Sequence, residues 1–421
     1  MKYQPWVTNE HWKENDPKLK EVAKQPCLLP HTGKLARQIE IKPPGIVLVR
    51  GPRQVGKSTF LRNFADKSLH AGVAPDSVVL FDVERLDNHH ALLGEIEIFC
   101  KGKKDYSVLL FDEITSVDLW WKAIKSAADS GLFQNSLVIC TGSSSLDISQ
   151  GADLMPGRRG KRYPVDFELL PVSYSQIKDK LKLDEFLLTG GFPWTINEYL
   201  KLGVIPAYVY NVYASWIEGA FHKQGHSTQQ LSFMLNKLIT HQCTPISVTK
   251  LSRDCGIGSN STAEAYLFLL ENIYALLTCP WAEPKTCLPA PRKNRKFYPF
   301  DPFLFHLFAD FGKGWESAHI MAQSRLKDPD FKGRLIEGLV ASHLHNTNAR
   351  PLCYWQGKKE IDFIGDQFIE VKYQEHVSID EFTWVQKVIP GDKKFTVITK
   401  NDSARKENIE LVPLDTWLGQ T

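Results

Sequence analysis

The chain has 421 residues, 43% apolar and 24% charged, with a formal net charge of +3. That length holds two or three domains with cores of their own, and the composition is globular. So small a charge excludes a uniformly basic protein and leaves any basic surface local, while no apolar run approaches the ~20 residues of a membrane helix.

The amino terminus, MKYQPWVTNEHWKEND, lacks the apolar core of a signal peptide. Residues 1 to about 44 are punctuated by Lys and Pro and read as an extension packed on the first domain. Ile46–Val49 is an unbroken apolar run, which suits a strand covered on both faces of a parallel sheet. It leads into Gly51-Pro52-Arg53-Gln54-Val55-Gly56-Lys57-Ser58-Thr59, a full match to G-x-x-x-x-G-K-[ST]. Gly51 and Gly56 allow the tight turn that points N–H groups at phosphate oxygens. Lys57 puts a compact cation on the β/γ-phosphates, and the Ser58 hydroxyl can ligate Mg²⁺. A helix from about Lys57 to Lys67 aims its positive dipole end at the same anion, so the loop is expected to bind ATP.

Further apolar runs at 77–82, 107–113 and 137–143 alternate with helical stretches, as in a parallel α/β sheet. The second ends in Asp112-Glu113. There Asp112 can hold the Mg²⁺ shell and Glu113 can polarise the attacking water. Ser143, after Thr141-Gly142, has two readings: a hydroxyl sensing the γ-phosphate, or a helix cap.

GPRQVGKST, LLFDEI and CTGSSS, in this order and spacing, resemble the AAA-type P-loop ATPases of bacteria and archaea that carry an extra C-terminal domain. The similarity continues through Gly157-Arg158-Arg159, Leu170-Pro171-Val172-Ser173-Tyr174 and Gly190-Gly191-Phe192-Pro193. The resemblance implies an arginine beyond the sensor strand that acts on nucleotide, with Arg158 the candidate. The other reading of residues 158–162 is a solvated basic loop or a contact with a phosphate backbone.

Residues 184 to about 240 are helical, with Tyr208, Tyr210, Tyr213 and Trp216 read as packing. Residues 231–298 read as a winged helix–turn–helix: a short helix at Val248, Leu251 and Cys255, a Gly256-Ile257-Gly258 turn, then a helix capped by Ser259 or Asn260. Its apolar positions are Ala263, Tyr266, Leu267, Leu270 and Tyr274. Lys285, Arg292, Lys293, Arg295 and Lys296 then form a basic wing suited to duplex phosphates, although such modules also serve as packing units.

After a Phe-rich helix and a second helix carrying Glu337, residues 359–372 alternate with period two about Gly365-Asp366-Gln367. A three-residue turn pairs Phe363 with Ile369 and Ile361 with Val371 on one face. On the other it pairs Asp362 with Glu370 and Glu360 with Lys372. Facing carboxylates call for a cation, which Mg²⁺ would supply. Glu337, Asp362, Glu370 and Lys372 together resemble the PD-(D/E)XK nuclease fold, with Ile361 where the motif has Pro. The resemblance implies Asp362 and Glu370 as metal ligands, Lys372 as catalytic lysine and Glu337 as an auxiliary acid.

The expected architecture is therefore α/β. Residues 1–183 would form an AAA-type ATPase domain, 184–300 a helical lid and winged-helix segment, and 301–421 a restriction-endonuclease-like domain. The expected protein is cytoplasmic, with reduced thiols, and uses ATP and Mg²⁺. Its expected partners are double-stranded DNA and further copies of the chain, with no membrane. Two functions fit: an ATPase coupled to Mg²⁺-dependent DNA cleavage or DNA binding, or a nucleotide-switched DNA-binding or scaffold protein whose nuclease fold is silent.

Overall fold

The computed structural model describes residues 2–103, 105–347 and 352–419, with the side chains of 145 and 146 left aside. They form two compact units that divide after Val172. Boundaries after residues 183 and 300, as read from the sequence, do not separate compact units here. The segments on either side of residue 300 share one interior: Gln242 Nε2 donates to Arg334 O at 3.0 Å, and Gly191 N–H donates to Asp301 Oδ2 at 2.8 Å.

The first unit is built on a six-stranded sheet. Its strands are β1 (Lys2–Tyr3), β2 (Gly45–Arg50), β3 (Val78–Asp82), β4 (Ser107–Asp112), β5 (Ser136–Gly142) and β6 (Asp166–Glu168), in the order β1-β3-β4-β5-β2-β6. β3, β4, β5 and β2 run parallel, as their apolar runs suggest, and β6, which has no such run, joins parallel beside β2. β1 adds an antiparallel edge, with Lys2 opposite Phe81, so the sheet is mixed. The run in β2 has no polar alternation because its two faces enter different cores. Ile46 and Leu48 pack with Phe81 and Phe111 on one side, Val47 and Val49 with Phe60 and Phe64 on the other. The extension is strapped to this unit by Trp6 and Trp12, both buried, and by Asp16, whose Oδ2 accepts from Arg62 Nε at 2.9 Å.

The second unit begins with helices, among them Pro193–Leu202 and Ala207–Lys223. Tyr210 and Tyr213 are fully buried against Phe303, with ring centroids 5.0 Å away in each case, which makes them core. Helices Thr228–Thr240, Val248–Asp254 and Asn260–Asn272 follow, then an antiparallel pair, β7 (Leu276–Pro280) and β8 (Arg295–Pro299). Ser259 caps the third helix through a hydrogen bond from Thr262 N–H. That helix ends at Asn272, so Tyr274 is not on it; it sits in a turn at φ 61° and packs edge-on against Phe300.

A second six-stranded sheet closes the chain: β9 (Cys353–Gln356), β10 (Glu360–Ile364), β11 (Phe368–Lys372), β12 (Phe395–Thr399), β13 (Ala404–Lys406) and β14 (Ile409–Pro413), ordered β13-β14-β12-β11-β10-β9. β11, β12 and β14 are parallel and the rest antiparallel. Phe363 faces Ile369, the register that a three-residue turn dictates. None of the eight cysteines is in a disulfide.

Candidate functional site

β2 delivers the chain to the loop 51–56, and helix Lys57–His70 leaves it. Gly56 has φ +100°, a conformation open to glycine, and a Cβ on Gly51 would lie 2.1 Å from Leu169 O. Glycine is thus required at 51 by the close approach of the Leu169 backbone and at 56 by the backbone conformation. Val55 is buried, whereas Arg53 and Gln54 are exposed, and Ser58 and Thr59 are partly buried on the first helical turn. The Lys57 ammonium donates to Gly51 O and Pro52 O, each at 2.8 Å. Burial pushes its pKa down, partly offset by the charges of Glu113 and Asp112.

β5 lies between β2 and β4, so its end comes beside the acids that close β4. Thr141 Oγ1 is 3.3 Å from Asp112 Oδ1, and Lys18 Nζ from the extension is 3.9 Å from Asp112 Oδ2. Glu113 has φ 51°, unusual for a residue with a Cβ, and leaves the strand direction there. Its Oε1 accepts from Ser143 N–H at 2.8 Å, Ser143 Oγ at 2.6 Å and Thr115 Oγ1 at 3.1 Å. Burial pushes the Glu113 carboxyl up, but the Lys57 charge and these hydrogen bonds outweigh it and hold it below the usual range. The helix cap that Ser143 was in line for is Ser144, which accepts from Asp147 N–H. Lys57, Asp112, Glu113 and Ser143 therefore come together. Arg158 does not join them: its Nε donates to Asp129 Oδ1 at 2.6 Å.

One interaction on the loop carried no sequence signal. His31 Nε2 lies 2.7 Å from Val55 O, and because a carbonyl only accepts, Nε2 must bear the proton. The helix His31–Gln38 thus braces the loop from the extension.

The C-terminal carboxylates also converge, around a lysine that reads from the sequence as part of the wing. Lys296, on β8, has no exposed side-chain surface, and its Nζ lies 2.8 Å from Asp362 Oδ1, 3.1 Å from Glu337 Oε1 and 2.5 Å from Glu360 Oε1. The expected Glu360–Lys372 pair is replaced: Glu360 turns to Lys296, and Lys372 Nζ lies 2.7 Å from Glu370 Oε1. Tyr298 donates to Glu337 Oε1 at 2.6 Å. Asp362 Oδ2 accepts from Val371 N–H at 2.9 Å, and Glu370 Oε2 from Asp362 N–H at 3.3 Å. Burial pushes Glu337 up to about 7 and Glu370 up to about 8, the Asp362 charge adding to both. Burial opposes the charge on Lys296, yet Asp362, Glu337 and Glu360 hold its pKa well above the usual value.

In this arrangement the residues do not fit a divalent cation. Both oxygens of Asp362 and both of Glu370 already accept from N–H donors of the protein. Among the described residues no group of three or more His, Cys, Asp or Glu is disposed to hold a metal.

The wing is smaller than its sequence suggests. Arg295 pairs with Glu264, its Nη1 3.0 Å from Oε2, and Lys296 is internal. Alternate residues of β8 point to opposite sides, which takes Lys296 into the interior and leaves Arg295 half-buried against Glu264. Lys285, Arg292 and Lys293 remain exposed.

Residues 43–178 match the family model described as AAA domain, and residues 180–314 match a domain of unknown function, DUF8612. The chain thus carries an AAA-type P-loop domain in its first unit. An uncharacterized protein of Methanocaldococcus jannaschii is 25% identical over 444 residues, 90% of either chain. An uncharacterized protein of Haemophilus influenzae is 26% identical over 248 residues, covering 54% of this chain and 60% of its own. Among solved structures, the Walker-type ATPase of Pyrococcus abyssi matches with a TM-score of 0.43 and 15% identity, over 66% of this chain and 94% of that one. The Orc1 protein of Aeropyrum pernix, solved in complex with DNA, matches with a TM-score of 0.33 and 14% identity, over 79% and 98%. Among the described residues no helix is long and apolar enough to cross a membrane.

Proposed function

We propose that the first unit binds and hydrolyses ATP with Mg²⁺. The observation that carries this is the convergence of Lys57, Asp112, Glu113 and Ser143 beside a glycine cradle at the start of helix Lys57–His70. Backbone N–H groups of residues 53–57 hold the phosphates, and Lys57 exchanges two backbone carbonyls for phosphate oxygens. Ser58 and Asp112 are suited to the metal ion, which neutralises charge on the phosphates during transfer. Glu113 orients the attacking water once Ser143 releases it, which ties its availability to the presence of ligand. Arg158 would act on nucleotide only by leaving Asp129, for instance toward a second copy of the chain.

The C-terminal unit carries two readings. Mg²⁺-dependent DNA cleavage would employ Asp362, Glu370, Lys372 and Glu337. The pairing of Asp362 and Glu337 with Lys296, and of Glu370 with Lys372 and Asp362 N–H, favours the other: a nuclease-like fold that cuts nothing and serves, with the helix pair and β7–β8, in nucleotide-switched binding of double-stranded DNA or in scaffolding. Phosphate release should vanish in Lys57→Ala and fall in Glu113→Gln with ATP still bound. Hydrolysis at the wild-type rate in Glu113→Gln would sink its assignment. Supercoiled DNA incubated with Mg²⁺, with and without ATP, should stay uncut; cutting that Asp362→Ala abolishes would reinstate the nuclease.

A further inference from the structure

We propose that the Lys296 ammonium is the resident cation of the C-terminal carboxylate cluster, occupying the place a divalent metal would hold, so that the cluster takes up no metal while Lys296 is seated. This deepens the silent reading above by naming what silences the site, and it stands apart from the ATPase.

The geometry is that of a filled site. An ammonium has three N–H donors and no acceptor. Each of the three points to a different carboxylate: Glu337 on helix Pro329–Thr347, and Glu360 and Asp362 at successive same-side positions of β10. No donor is left over. The remaining oxygens of the central pair are closed by backbone: Val371 N–H on Asp362, and Asp362 N–H on Glu370, whose other oxygen meets Lys372. A hard divalent cation needs about six oxygen ligands at 2.0–2.6 Å. To gather them here it would have to displace Lys296 and at least one backbone donor.

The lysine is also held from behind. Residues two apart on a strand share a side, and Tyr298, two on from Lys296, donates to Glu337 Oε1 at 2.6 Å. β8 therefore sends a cation and a hydroxyl together into the cluster. The Lys296 ammonium further lies 5.6 Å from the centre of the Tyr354 ring on β9, a second favourable neighbour for a cation. Lys296 faces Cys279 in the β7–β8 ladder, so its backbone is fixed as well as its head. An exposed wing lysine turned inward by chance would not find three carboxylates, a hydroxyl and an aromatic face in place around it.

Nucleotide-free full-length protein is titrated with Mn²⁺, bound metal being read from the decrease of the free-ion EPR signal. Wild type should show no bound Mn²⁺ that Asp362→Asn removes. Lys296→Ala should acquire about one Mn²⁺ per chain, and the Lys296→Ala/Asp362→Asn double variant should bind none at this site. The melting temperature of Lys296→Ala should rise with Mn²⁺, whereas that of wild type should not. Lys296→Gln, which keeps two N–H donors but no charge, serves if the alanine variant does not fold. If neither folds, the wild-type and Asp362→Asn titrations decide by themselves. An Asp362-dependent Mn²⁺ site in wild type overturns the proposal, as does a folded Lys296 variant that binds none. The outcomes stay distinguishable from those of the silent reading. Wild type that holds Mn²⁺ at Asp362 but leaves DNA uncut refutes this proposal and keeps that reading; wild type that also cuts DNA refutes both.

Discussion

The phosphate loop and the C-terminal cluster are made of the same parts, lysines beside acids, and they differ in what the lysine holds. Lys57 rests on two backbone carbonyls, neutral acceptors that a charged phosphate outcompetes. Lys296 rests on three carboxylates and has nothing to gain from a ligand. The acids differ in the same sense. Asp112 and Glu113 accept hydrogen bonds from hydroxyls and one backbone N–H, with the Lys18 ammonium no nearer than 3.9 Å to Asp112, while Asp362 and Glu370 are closed by ammonium and backbone donors. At the first site the closest partners of the charges are neutral groups; in the C-terminal cluster they are other charges.

The largest expected effect breaks this contrast at its two lysines. Lys57→Ala should lower ATP affinity by about 100-fold or more, because charge-assisted bonds to the phosphates go, and leave the melting temperature nearly unchanged. Lys296→Ala should do the reverse, costing about 3–5 kcal/mol of stability by leaving buried carboxylates unpaired, with ATP affinity retained. Calorimetric titration and denaturant melts on both proteins provide the check. A Lys296 variant as stable as wild type would show that its ion pairs are dispensable.

The unequal legibility of the two sites has a physical origin. The nucleotide loop is a local object: its glycines, lysine and serine follow one another, and the backbone turn needs them in that order. β3, β4 and β5 were legible because burial on both faces writes unbroken apolar runs. Lys296 meets Asp362 across 66 residues, and nothing in Arg292-Lys293-Asn294-Arg295-Lys296 says which side of β8 faces a core. Period two separates Arg295 from Lys296 without telling which is inside. The hairpin register was legible, since only a three-residue turn keeps both faces consistent, but the cation its acids require came from elsewhere in the chain. His31 was hidden for the same reason: its partner is a carbonyl, which no side-chain pattern reveals.

A smaller effect sharpens the contrast through pH. Glu337 and Glu370 have pKa values of about 7 and about 8 in the fold, against an ordinary value of 4.5. The folded state therefore holds protons that the unfolded chain has released, and stability is greatest below about pH 4.5 for these groups. It declines as pH rises from about 4.5 toward 7 and 8, by at most ~1.4 kcal/mol per pH unit for each group, and levels off above them. Melts of the full chain between pH 6 and 9 should show this fall, and Glu370→Gln should flatten it. A pH-independent melt would mean that the two lysines keep every acid ionised. Glu113, held below the usual range, contributes in the opposite direction: its stabilisation is present above about pH 4.5 and is lost as pH falls below that.

The smallest expected effect concerns the wing, and it separates charges that face solvent from charges that are already used. Lys285, Arg292 and Lys293 are exposed, the last with its ammonium 5.4 Å from the Trp281 ring centre, whereas Arg295 is bound to Glu264. If β7–β8 engages duplex phosphates, only the exposed three are available to it. Reversing Arg292 and Lys293 to Glu should weaken DNA binding and lower the log–log salt slope by about 0.9 for each phosphate that is no longer neutralised. Arg295→Gln should leave that slope alone, though it costs about 1 kcal/mol or less of stability through Glu264. Fluorescence titrations of a labelled duplex at several salt concentrations measure both. An unchanged slope in the double reversal would leave the wing as packing. A slope lowered equally by Arg295→Gln would mean that the Arg295–Glu264 pair opens on DNA.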